Sequence, residues 1–374
     1  MFSDRPYRAA VLAVGAQVVV ACAAPAVATR RRPATSRAGS GDVLGGAARR
    51  PTTPLVTDAD RAMGIEWRLD VGGTIHAAPA FGDDGAVYVG TAAGYLVALG
   101  AAGVVRFSYT LEGAIVWSPA VDAAGRIYVA TTAQRLCSFQ PNGALGWQVR
   151  TPVHVAGDLV LAAPSGVLFG GTDGNVWAYT PHGAAIWHAG AGQPILAGPK
   201  AFGSRAWVAS ADGTLLELDG AVRKRALHVD GICESIVSSG ADGSVAVVAS
   251  EALIGFGAQG EVRFRRDGVL SANAAGTGFV AAERGRVTRL DAAGAVLAST
   301  PFEGVASAAP VLAPSGAIYV PDAAGVLWIV PKVGVVRRVP IASAALHRPV
   351  LDVARHRVLV TAGDGIVASL RLDE

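Results

Sequence analysis

The chain has 374 residues, of which 51% are hydrophobic, 6% aromatic and only 16% charged, with 47 glycines, three cysteines and a formal net charge of +3. Three cysteines exclude a disulfide scaffold. The basic excess sits at one end: residues 1–64 hold nine arginines against four aspartates and the rest of the chain is slightly acidic, which argues against a nucleic-acid partner despite a pI of about 8.9.

Residues 1–28 read as an export signal. Arg5 and Arg8 supply a short positive segment, Ala9 to Val20 an apolar run, and small residues follow; the run is too short to span a bilayer. Two cleavage readings stand side by side. Val19-Val20-Ala21-Cys22 resembles the lipobox of bacterial lipoproteins, in which the Cys22 thiol is acylated and becomes the new N-terminus, while Ala26-Val27-Ala28 suits an ordinary signal peptidase and a soluble product. The protein is expected in the periplasm, or at the outer membrane or cell surface, anchored by lipid on the first reading. Residues 29–64 are rich in Ala, Arg, Pro, Thr, Ser and Gly without apolar alternation and read as a disordered tether. Its arginines would face solvent or rest on anionic headgroups.

From residue 65 to 374 one unit of about forty residues recurs eight times. The clearest copy runs Trp117-Ser118-Pro119-Ala120-Val121, Gly125-Arg126-Ile127-Tyr128-Val129, Leu136-Cys137-Ser138-Phe139, Asn142-Gly143 and Trp147. Glycines close successive units at Gly103, Gly143, Gly183, Gly220, Gly260, Gly294 and Gly334, spaced 34 to 40 residues apart. Within a unit, short β-branched and aromatic runs alternate with turn pairs such as Asp173-Gly174 and Asp212-Gly213, the signature of tight hairpins. Each unit is therefore about four antiparallel strands, too small to bury both faces alone, and stacks on its neighbours around an axis. The fold class expected is all-β: an eight-bladed β-propeller of four-stranded antiparallel blades. The repeat begins on an outer-strand signature at Ile65 to Val71 and ends on an inner-type strand at Ile366 to Leu372. The N-terminal strand must then pair into the last blade, closing the ring and removing free edges.

Cys137 and Cys233 lie three blades apart and read as buried small apolar residues. No CxxC, HxH or Cys/His cluster offers a metal site.

The recurring Trp-Ser-Pro-Ala-Val, Gly-x-Ile-Tyr-Val, Gly-x-Leu-x-Ala-Leu and Asn-Gly-x-x-x-Trp elements resemble the pyrroloquinoline quinone (PQQ) repeat of quinoprotein-like eight-bladed propellers, over residues 65–374. The resemblance implies the fold far more than the cofactor, and no cofactor is expected. It also implies that the aromatic four residues after each closing glycine docks between blades. Those residues are Phe107, Trp147, Trp187 and Phe264, with Trp67 equivalent at the start; the pattern fades at Lys224, Ala298 and Arg338. Quinone dehydrogenases of the family use a disulfide between adjacent cysteines, a tryptophan floor, a calcium site and a catalytic aspartate. This chain has no adjacent cysteine pair and no long excursions between blades, so no catalytic residue is assigned.

His76, Trp117, Glu234, Asn273, Ser307 and His347 precede or begin innermost strands of different blades; they are the candidates for binding in a central funnel. For His76 and His347 the alternative is a hydrogen bond to a neighbouring turn. His154, His182, His188, His228 and His356 read as surface. The loops Phe202 to Arg205 and Arg223 to Arg225 are candidate contact points or solvated turns. Three functions follow. The first is a non-catalytic, monomeric envelope scaffold that engages protein partners through its loops, similar to the PQQ-repeat lipoprotein that assists outer-membrane β-barrel assembly. The second is a small-molecule or glycan binding module in the funnel, and the third a PQQ-dependent oxidoreductase.

Overall fold

Eight four-stranded antiparallel sheets follow one another along the chain and form a ring of eight blades. The computed structural model describes residues 54, 56–162, 166–190, 192–202, 204–239 and 244–373, all within the unit Ala48–Glu374 that follows a division of the chain after Ala47. The export signal, Cys22 and the tether as far as residue 53 lie outside the described residues.

In blade 1 the strands are Ala80–Phe81, Val87–Gly90, Tyr95–Leu99 and Val105–Thr110, and they pair in chain order. The first strand of each blade lies nearest the axis, where first strands of successive blades touch. Second and third strands are buried almost throughout, as in Val87–Gly90 and Tyr95–Leu99, whereas the outermost strand Val105–Thr110 alternates half-buried and exposed. Middle strands of this kind are covered on both faces by neighbouring blades, so their sequences are continuously apolar instead of alternating. The core is accordingly divided into wedges between blades. One wedge packs Leu69 and Val367 of blade 8 against Val87, Val89 and Leu99 of blade 1.

The ring closes as the repeat phase requires. Ile65–Asp70 pairs antiparallel with Ile366–Arg371, Trp67 opposite Ser369 and Leu69 opposite Val367, and becomes the outermost strand of blade 8. The C-terminal strand is third from the axis, so its continuous burial, which suggested an inner strand, is that of a covered middle strand. A second closure binds blade 8 to blade 1. Arg357, 2% exposed, donates Nε to Asp352 Oδ2 at 2.9 Å, Nη1 to Ala101 O at 2.9 Å and Nη2 to Gly85 O at 2.7 Å. Thr361 Oγ1 adds a bond to Ala77 O at 2.7 Å.

The last residues expected in the tether are ordered. Asp58–Ala62 forms a short helix closed by a capping box, in which Asp60 N donates to Thr57 Oγ1 at 3.1 Å and Thr57 N to Asp60 Oδ2 at 2.9 Å. Burial of Asp60 acts to raise its carboxyl pKa, but the Thr57 hydrogen bonds and the Arg68 charge outweigh it and hold it low.

Closing glycines receive the side chain of the preceding blade's outermost strand. A Cβ built on Gly103 would lie 2.6 Å from the Trp67 ring, on Gly143 2.7 Å from Phe107, on Gly183 2.8 Å from Trp147 and on Gly294 2.5 Å from Phe264. These glycines also have positive φ, so both backbone and space call for the missing side chain. Trp67 and Trp147 finish the contact alike, donating Nε1 at 2.8 Å to the carbonyl two residues before the glycine, that of Ala101 or Pro181. Trp187 packs on the wedge between blades 3 and 4 but does not meet Gly220, which has open space around it. In blade 4 the docking position is Arg225 and not Lys224. The turn after Gly220 is a tight hairpin with Asp219 opposite Val222, and it shifts the register by one so that Arg225 faces Glu217. Arg225 Nη1 donates to Ala258 O at 2.5 Å, the carbonyl two before Gly260, and its guanidinium lies 4.9 Å from the Trp207 ring centroid.

Candidate functional site: the channel mouth and the rim

Turns alternate between the two ends of an antiparallel blade. The connections leading into each blade therefore share one end of the ring with the turns between second and third strands, and the closing-glycine turns lie at the other. His76, Trp117, Ser307 and His347 all lie on those connections or just before innermost strands, at one mouth of the channel.

Three of these residues reach sideways to the next blade. Trp117 donates Nε1 to Val155 O at 3.2 Å, and Ser307 donates Oγ to Leu346 O at 2.5 Å. His347 Nε2 lies 3.0 Å from Ile75 O; a carbonyl only accepts, so Nε2 carries the hydrogen. Ser271, which sequence patterning does not mark, does the same with Ala308 O at 3.2 Å. At four of the eight blade junctions, a side chain at the mouth thus staples one blade's inner end to its neighbour. His76 is exposed beside His347. Burial pushes the imidazole pKa of both below its usual value, and at His347 the His76 charge adds to that while the Ile75 carbonyl opposes it. Glu234 is exposed at the start of the innermost strand of blade 5.

Charged residues stand at or just before the innermost strands. Asn273 and Arg348 line a cavity of about 270 Å³ walled by the innermost strands of blades 6, 7 and 8. Lys200 of blade 4 stands close enough to Arg348 and Asp158 to feel both charges. Its ammonium is held below the usual lysine value by burial first and then by Arg348, against Asp158. Nothing in the repeat pattern marks Lys200, in a first strand, or Arg348, just before one.

Cys137 and Cys233 are free, buried thiols pushed up to about 12, by burial above all. His154 departs from the surface position expected of it: its Nδ1 is buried without a partner among the described residues. Among the same residues no three His, Cys, Asp or Glu side chains come together as a metal site would require. Of the two loops expected as contact points, Arg225 is taken up by the blade interface, while Arg223 and Lys224 are exposed. Ser204 donates Oγ to Asp219 Oδ1 at 2.8 Å, and Arg205 lies 3.6 Å from Glu217.

Fold and site together define the class: an eight-bladed propeller of minimal four-stranded blades, stapled at its channel mouth and docked at its closing glycines. Residues 55–189, taking in the closing strand and nearly all of blades 1 to 3, match the PQQ_2 family model described as outer membrane protein assembly factor BamB. The resemblance to the PQQ repeat is borne out there. No curated protein matches the chain. Among solved structures, the computationally designed Ika8 protein is 14% identical at a TM-score of 0.68, over 80% of this chain and 96% of that one. Sqt1 of Saccharomyces cerevisiae is 12% identical at 0.67, over 81% and 97%. BamB from Moraxella catarrhalis is 19% identical at 0.49, over 82% and 91%. At these identities the likeness is one of fold.

Proposed function

We propose that the protein is a non-catalytic propeller scaffold of the bacterial cell envelope that engages protein partners in outer-membrane protein assembly. The observation that carries this reading is the brevity of the blades: no connection between successive strands is longer than nine residues. Loops of that length leave two turn-lined faces and a stapled channel mouth, and they build no walls around a substrate. The family model matched by residues 55–189 supports the assembly role, and the export signal and Cys22 support lipid anchorage in the envelope.

The rim supplies the contact surface. Exposed aliphatic residues recur where the outermost strand begins: Val104, Leu145, Ile186, Val222, Val262, Val296, and Val333 with Val335. Val333 and Val335 are 87% and 82% exposed on either side of Gly334. Such side chains gain most by being covered by another protein. Affinity capture with the full chain from native membranes tests the reading. Recovery of β-barrel assembly components, lost in Val333→Asp/Val335→Asp, is expected; their absence, or equal recovery with the variant, contradicts it.

A further inference from the structure

Blade 5 lacks a ring that three other blades carry. At one register, four paired residues cross each sheet and face the blade that follows. They are Ala80, Tyr88, Ala98 and Phe107 in blade 1, Ala120, Tyr128, Ser138 and Trp147 in blade 2, and Val311, Tyr319, Ile329 and Arg337 in blade 7. The tyrosines fill the wedge, with Tyr88 and Tyr128 centred 6.4 and 6.1 Å from the rings of Phe107 and Trp147. In blade 5 the row is Ser238, Ala246, Gly255 and Phe264. A cavity of about 250 Å³ stands where the ring would be, and all four residues of the row line it. Phe264 leans over Gly255, where a Cβ would fall 2.2 Å from its ring, and its centroid is 5.6 Å from that of Phe279 in blade 6. Phe279, 8% exposed, walls the cavity from that side. Thr277 and Ala292 of blade 6 are exposed at its edge, so it opens at the closing-glycine end.

We infer that this cavity takes a single aromatic ring, the tyrosine or phenylalanine side chain of a partner protein. The repeat itself sets the chemistry of the occupant, because three sister blades fill the same place with a tyrosine of their own. An apolar cavity of about 150 Å³ accepts benzene, so the volume suffices. A ring entering between Phe264 and Phe279 leaves water and meets two further rings at tilted or edge contacts, which aromatic pairs prefer. Val262, next in the chain to the lining residue Arg263, is 59% exposed. The cavity therefore joins the apolar rim, and an aromatic anchor in a pocket within an apolar surround is the usual centre of a protein interface. The protein source of the ring rests on the scaffold reading, whereas the ring site rests on the blade alone.

Isothermal titration calorimetry of the full chain with p-cresol, a tyrosine side chain without its backbone, tests the site. Saturable binding is expected, weakened by about tenfold or more in Ala246→Tyr and in Ala246→Leu. These variants fill the space from within, as Tyr88 does in blade 1 and Leu168 in blade 3, and the leucine keeps the test open where the tyrosine overpacks. On the wild-type chain, N-acetyl-tyrosine amide should displace p-cresol and N-acetyl-leucine amide should not. No saturable heat with p-cresol, or one affinity shared by wild type and both variants, overturns the ring site. Equal displacement by the two amides, or by neither, overturns its assignment to an aromatic side chain. Both readouts are independent of the assembly role, so failure of the site and failure of the scaffold reading are told apart.

Discussion

Trp67 of the closing strand lies against Gly103 of blade 1, where a Cβ would fall 2.6 Å from its ring, and donates its indole N–H to Ala101 O at 2.8 Å. One side chain, 4% exposed, thereby joins the first strand of the propeller to the first blade while its own backbone completes the eighth. Trp67→Ala should cost about 3–5 kcal/mol, the range for emptying a large core aromatic. Gly103→Ala should cost about 1–3 kcal/mol from its positive φ alone, before the clash is counted. Chemical denaturation of both variants checks this, with Trp67→Ala expected to have the lower midpoint.

Arg225 does in blade 4 what tryptophan does in blades 2 and 8, reaching the same carbonyl of the next turn and pairing with Glu217, which is 5% exposed. Arg225→Ala leaves that carboxylate only the half-exposed Arg205 at 3.6 Å and should destabilise by about 2–3 kcal/mol. Arg225→Lys should recover only part of this, because an ammonium cannot reproduce the fork or its stacking on Trp207. Equal stability of the Ala and Lys variants would remove the fork from the explanation.

The buried pair Arg357 and Asp352 holds blade 8 to blade 1. Arg357→Met leaves Asp352, Gly85 O and Ala101 O short of a donor, and the loss should be about 3–5 kcal/mol. The double variant Arg357→Met/Asp352→Leu should regain part of it, since no charge is then left buried. Limited proteolysis reads the same event, with faster cleavage near the junction of the first and last blades in the single variant.

Stability should fall as the solution becomes acidic. Burial keeps His347 neutral in the fold, with His76 adding to the effect, while an unfolded imidazole titrates near its ordinary value of about 6.5. Below that pH the unfolded chain binds protons that the folded chain refuses, so stability is full above about pH 6.5 and is lost as pH drops towards the depressed folded values. His347→Asn should flatten this part of the pH profile in thermal denaturation. An unchanged slope between pH 7 and pH 5.5 would show that His347 does not contribute.

The architecture was legible because turn glycines repeat with every blade, and a repeat that starts on an outer strand leaves its first strand no partner except the last blade. Individual contacts were less so. Lys224 falls at the expected spacing after Gly220, but spacing assumes a constant turn, and the tight Asp219–Val222 hairpin moves the docking position to Arg225. Arg357 and Arg348 escaped for another reason: a charged residue in or beside a strand reads as solvent-facing, and only the fold shows that Arg357 is buried between blades and that Arg348 borders a cavity. The helix at Asp58–Ala62 was signalled by Thr57-x-x-Asp60 inside a stretch whose composition reads as a linker.

The assembly role is tested most directly by the amount of folded β-barrel protein in the outer membrane, read as heat-modifiable mobility on gels, in cells with and without the chain. The level should fall when the chain is removed, return with the wild-type protein and stay low with Val333→Asp/Val335→Asp. An unchanged level in cells lacking the chain would contradict the scaffold reading.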